Sequence, residues 1–143
     1  MVGHTKRNRN IIKMKIGFLG DLFVENLNGG GELNDAVLID SLKKKHSVTK
    51  HWCSKANIQS LDKEDLLIIS NFVTLPTPIH RHLSDKKYII YEHDHKYTKM
   101  RDVSKYSNFD IPKDQLIHRD FYLNADKVIV LSAICKDILE KNN

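Results

Sequence analysis

Three stretches of this chain are apolar with almost no break and end at glycine, serine or a charged residue: Lys15-Ile16-Gly17-Phe18-Leu19-Gly20, Leu66-Leu67-Ile68-Ile69-Ser70 and Lys127-Val128-Ile129-Val130-Leu131. Tyr88-Ile89-Ile90-Tyr91 is a fourth of the same kind. Runs this short are strands rather than helices, and a strand apolar on both faces must be covered on both, as in a parallel sheet. Ser47 to Trp52 alternates instead, which predicts a strand nearer the edge. Helical segments fall between the strands. Glu32 to Lys45 carries Leu33, Ala36, Val37 and Leu42 as an inward stripe, with Asp35, Asp40, Lys43 and Lys44 outward. Between Val73 and Leu83 a helix can begin only at or after Pro76 and Pro78. Asp114 to Ala125 reads as a helix capped by Asp114, and Ser132 caps a last one bearing Ile134, Ile138 and Leu139. The alternation predicts an α/β class: a Rossmann-like, doubly wound, mainly parallel sheet with helices on both faces.

With 143 residues, 41% of them hydrophobic, the chain suits one domain with its own core. Residues 1–12 are polar and basic and are expected to be a disordered leader, with the folded domain over 13–143. The last helix runs into Asn142-Asn143 without a glycine stop, as in a chain cut off or continued elsewhere. The net charge of +5 suits anionic partners such as nucleotide phosphates or an acidic membrane surface. No basic-aromatic interleaving suggests stacked bases, so no nucleic acid is expected. Nothing approaches the roughly 20 apolar residues of a membrane span, and no signal segment precedes the first strand. The expectation is a cytoplasmic protein, peripheral to a membrane at most. Cys53 and Cys135 share no motif spacing and read as idle thiols.

In an open parallel sheet, ligands bind at the carboxyl ends of the strands. Three segments lie there. Asn28-Gly29-Gly30-Gly31-Glu32 opens a helix, where backbone N–H groups and the helix dipole favour an anion and glycine permits close approach; a plain flexible turn has the same composition. The segment is neither a dinucleotide fingerprint nor a Walker loop. Glu92-His93-Asp94-His95 follows a central strand, placed for proton transfer or hydrogen bonding, with solvated loop residues as the plainer alternative. His93 and His95, with His80 and His82, offer a thin case for a metal, since no third ligand is fixed. His80 and His82 are expected on the surface of a helix. Ser132 begins the last helix, and capping alone accounts for it.

Taken together these segments resemble the retaining GT-B glycosyltransferases of the family 4 type. Gly29, Gly30 and Glu32 match a Gly-Gly-x-Glu turn, His93 matches a histidine after a central strand, and Ala125, Asp126, Ser132 and Lys136 follow the family's order around the fifth strand. The resemblance spans about residues 14–143. It implies the N-terminal, acceptor-side half of an enzyme of glycan biosynthesis, inactive alone because the donor-binding half is absent. In that reading His93 acts in catalysis on the donor sugar. Gly29, Gly30, Gly31 and Glu32 lie by the donor phosphates, Asp94, His95 and Ser132 are further donor or acceptor contacts, and no metal or cofactor is needed. The partners implied are a nucleotide-sugar donor, held through the missing domain, and a glycan, lipid or protein acceptor.

Two other readings compete. A non-enzymatic α/β module that binds a nucleotide or a partner fits the charge and the glycine turn equally. A metal-dependent hydrolase would use His93, His95 and the nearby carboxylates.

Overall fold

The computed structural model describes residues 12–143, so the expected leader lies outside the described residues except for Ile12, which is exposed. Five strands form one sheet: β1 (Lys15–Gly20), β2 (Ser47–Trp52), β3 (Leu66–Ile69), β4 (Tyr88–Tyr91) and β5 (Lys127–Ile129). Every pairing is parallel, and the spatial order is β2-β1-β3-β4-β5. This is the doubly wound α/β arrangement expected from the apolar runs, with the alternating segment at one edge.

The strands divide their side chains between two cores. On one face Ile16, Phe18 and Ile68 pack with Phe23 and Ile39, joined by Met14, Val48, Trp52 and Tyr91. A single helix, α1 (Gly30–Lys43), covers that face. On the other face Leu19, Leu67, Ile69, Tyr88 and Ile90 lie under α2 (Ile58–Leu61), α3 (Thr77–Leu83), α4 (Arg119–Leu123) and α5 (Ala133–Asn142), which contribute Leu61, Ile79, Leu83, Phe121, Tyr122 and Ile138. Tyr88 stacks on Phe121 at 4.8 Å between ring centroids and donates its hydroxyl hydrogen to the Phe121 carbonyl at 2.6 Å. That hydrogen bond allows a phenol to sit fully inside the core.

Several elements depart from the sequence reading. α1 is rotated from its expected stripe: Leu33 and Val37 face solvent, 50% and 71% exposed, while Leu42 packs on the core and Glu32, Asp35 and Ile39 are buried. Polar contacts made far away in sequence, described below, hold that orientation. The helix expected over 114–125 is two shorter pieces, a 3-10 turn at Lys113–Gln115 and α4. Asp114 caps neither; His118 precedes α4 in the left-handed region, at φ 58°. β5 is shorter than its apolar run and lies at the edge, with Lys127 and Ile129 exposed. The polar stretch after β4 is not a solvated loop. Lys96, Tyr97, Thr98, Val103 and Ile111 are buried within it.

No helix among the described residues is long and apolar enough to cross a membrane.

Candidate functional site at the carboxyl ends of β1, β3 and β4

The strand order reverses between β1 and β3, because β2 lies outside β1 while β4 and β5 continue beyond β3. A crevice opens where the connections leave in opposite directions, at the carboxyl ends of those strands. The residues there are Asp21 after β1, Ser70 and Asn71 after β3, Glu92 to Lys96 after β4, and the glycine turn at the start of α1.

Asp21 closes one side. Its carboxylate accepts hydrogen bonds from the Val73 and Thr74 amides, both at 2.8 Å, and from the Thr74 hydroxyl at 2.6 Å. The long connection after β1 is packed rather than loose. Phe23 is buried edge-on against Trp52, and Asn26 Oδ1 accepts from the Trp52 indole at 2.9 Å.

α1 starts at Gly30 with no side chain capping it. Its first N–H groups therefore lack the intrahelical partners that later turns enjoy. A Cβ on Gly30 would meet nothing within 4 Å, so the turn is open to solvent there. A Cβ on Gly31 would rest 3.5 Å from Asn71 Nδ2 and 3.7 Å from His93 Cγ. The missing side chain leaves a slot with an amide on one wall and an imidazole on the other. Gly29 does not share in it, because a Cβ there would collide with the carboxylate of Glu32, which folds back beside it.

A buried ion cluster fixes the Asn71 wall. Lys96 is 2% exposed, and its ammonium donates to Glu92 and Asp94, each at 2.7 Å, and to Asn71 Oδ1 at 3.2 Å. With Oδ1 taken, the amide nitrogen of Asn71 is the end left facing Gly31. Glu92 is fully engaged: it also accepts from the backbone N–H of Asp94 and from the Tyr122 hydroxyl. Burial first, then the charge of Glu92, raises the Tyr122 phenol above its ordinary range, so it stays a donor.

The imidazole wall is held from beneath. His93 Nε2 lies 2.9 Å from Asp35 Oδ1, with the two side chains 6% and 1% exposed, and the ring meets Tyr91 edge-on at 4.5 Å. Five buried side-chain polar atoms among the described residues have no hydrogen-bond partner, and three belong to this crevice: His93 Nδ1, Asp35 Oδ2 and Ser70 Oγ. Buried polar atoms are rarely left so.

The other residues singled out in the sequence are tied to structural partners. Asp94 is paired with Lys96 and, at 3.3 Å, with Arg101. His95 hydrogen-bonds the Tyr97 hydroxyl at 2.7 Å. Ser132 Oγ accepts from the Cys135 amide at 3.2 Å and caps α5. The four histidines do not converge: His82 pairs with Asp62 and His80 stacks on His118. No group of three or more His, Cys, Asp or Glu among the described residues could hold a metal ion. His80 is half-buried rather than a free surface residue. Sequence reasoning missed Asn71, Asp35 and Lys96. An asparagine after a strand and an acid in a helix carry no local signal; only the topology brings them to the glycine turn.

Comparison with known proteins does not bear out the glycosyltransferase resemblance. No protein-family model matches the chain, and no curated protein does. A solved structure similar to it is that of the response regulator protein TrrA from Thermotoga maritima in complex with Mg(2+)-BeF, not a glycosyltransferase. The two are 13% identical, with a TM-score of 0.44, over 90% of this chain and 95% of that one. At this identity and score the likeness says nothing of what this chain does. The residues that carried the resemblance have partners within the chain: Glu32 folds back beside Gly29, His93 pairs with Asp35, Asp94 with Lys96, His95 with Tyr97, and Ser132 caps α5. The nucleotide-sugar donor, the acceptor and the role in glycan biosynthesis fall with the resemblance. What stands is a five-stranded, doubly wound α/β chain with a polar slot at its topological switch point.

Proposed function

We propose that this chain is a non-enzymatic α/β binding module that takes the phosphate of a nucleotide in the slot beside Gly30 and Gly31. The observation that carries the reading is the pair of walls around Gly31: Asn71 Nδ2, oriented by Lys96, and the imidazole of His93, whose Nδ1 has no partner. Asn71 Nδ2 and the uncapped N–H groups of α1 make a set of donors suited to an anion. The pairing of His93 with Asp35 argues against a proton-transfer role, because His93 lies almost wholly within the protein and its Nε2 is held by Asp35.

Gly31→Ala separates folding from binding. The new methyl has room at ordinary contact distances, and alanine suits a helix better than glycine. The variant should unfold at the same temperature as the parent or higher. Mono- and dinucleotide phosphates titrated into labelled protein should shift the Gly30 and Gly31 amide resonances saturably, and Gly31→Ala should weaken that binding about tenfold or more. No saturable shift in the parent at millimolar nucleotide, or equal binding by the variant, would sink the reading.

A further inference from the structure

A second concave surface lies between α3 and α4. It encloses about 770 Å³. Arg81 and Ser84 line it from the α3 side, and His118, Arg119 and Asp120 from the α4 side, with Val73 and Phe121 supplying apolar surface. His80 and His118 both line it, stacked with their rings parallel to within 2° and their centroids 5.1 Å apart. Both rings lean edge-on against Phe72, at 5.7 and 5.5 Å. His118 reaches this position through a left-handed backbone conformation, φ 58°, that a residue with a Cβ adopts at some cost.

The charges are unbalanced. Of the described arginines only Arg101 is ion-paired; Arg81 and Arg119 are not. Asp120 is the one carboxylate on the wall. Neither imidazole of the stacked pair hydrogen-bonds another described residue. A smaller cavity of about 130 Å³ adjoins at Val73 and His118 and adds Lys99 and Arg101 to its lining, so the positive surface continues around the stacked pair.

From this cavity, its two unpaired guanidinium groups and its aromatic floor, we infer a binding site for a small organic acid. Its phosphate ester or carboxylate would lie between Arg81 and Arg119, and its apolar body against Val73, Phe121 and the His80–His118 stack. A planar, forked donor is the group best fitted to such oxyanions, and a flat apolar body suits stacked imidazoles. The inference does not depend on the slot at Gly31, which lies on a different set of elements.

Phenyl phosphate is the probe, with inorganic phosphate and benzoate as controls, followed through the histidine C2 protons of the whole chain. Phenyl phosphate should move the His80 and His118 signals saturably while leaving His82, paired with Asp62, unmoved. Benzoate should act at the same two signals if the acid group is a carboxylate, and inorganic phosphate should bind at least tenfold more weakly than phenyl phosphate because it lacks the body. Arg81→Gln with Arg119→Gln, two exposed positions whose change should leave the fold intact, should weaken phenyl phosphate binding tenfold or more. If His80 and His118 do not respond, if His82 shifts equally, or if the double variant binds as the parent does, the site does not exist.

Discussion

Asp35 Oδ1 and His93 Nε2 stand 2.9 Å apart across 58 residues of sequence, clasping the first helix to the end of the fourth strand. Both side chains are almost wholly buried. Removing one partner strands the other in a medium of low polarity, and such losses run to about 3–5 kcal/mol. Asp35→Ala should therefore lower the free energy of unfolding by that order in urea titrations. Replacing both partners by leucine should cost less than Asp35→Ala alone. A single-variant loss under about 1 kcal/mol would show that the clasp is not formed.

The same clasp explains why α1 presents aliphatic residues to solvent. Val37→Ser should change stability by no more than about 0.5 kcal/mol, as surface substitutions generally do. Ile39→Ala, on the opposite side of the helix, should cost about 2–5 kcal/mol. Reversed magnitudes would mean that the helix is rotated about its axis from the orientation described.

Burial, with a smaller contribution from His118, pulls the imidazole of His80 down from its ordinary value to about 4. Between that value and about 6.5 the unfolded chain binds a proton at His80 that the folded chain does not, so stability rises with pH. The stabilisation is complete above the upper limit and is lost as pH falls through the window toward 4. Arg81, Arg119 and Asp120 line the same cavity. Because the ring is only half-buried, solvent screening reduces the effect to the order of 1 kcal/mol. Comparing urea midpoints at pH 7 and pH 5 should show a steeper fall for the parent than for His80→Gln.

Cys53 is fully buried and points its thiol at the Asn71 carbonyl, 3.3 Å away. Desolvation, reinforced by Asp21, raises the thiol far above its ordinary range, which suppresses the reactive thiolate. A thiol reagent at pH 8 should label Cys135, which is only half-buried, in the native protein. Cys53 should react only at the rate of unfolding. Rapid labelling of both would contradict the packing around β3.

The sheet was legible because parallel strands covered on both sides leave unbroken apolar runs, and β1, β3 and β4 carry them. The face of α1 was not, since the sequence offered Leu33 and Val37 as a stripe while its orientation rests on Asp35, whose partner is distant. The buried stretch after β4 was misread for a related reason. Lys96 and Glu92 look like solvent-facing charges one at a time, and only their contact with each other and with Tyr122 lets them go inside. Of the slot, the glycines were visible as composition. Asn71 was invisible, because its role depends on Lys96 holding one end of its amide.

The parallel pairing also sets the order in which this chain can assemble. β1 sits in the interior of the sheet, yet Ile16 has no neighbours until Val48 on one side and Leu66 on the other have been synthesised. Hairpins, which let antiparallel sheets begin locally, are absent from the five strands. Each strand must wait for a partner beyond an intervening crossover, and topologies built from such distant contacts fold slowly. During synthesis β1 is therefore the first of the five strands made and stays unpaired on both sides until β2 and β3 follow it, which makes it a segment that a chaperone would meet.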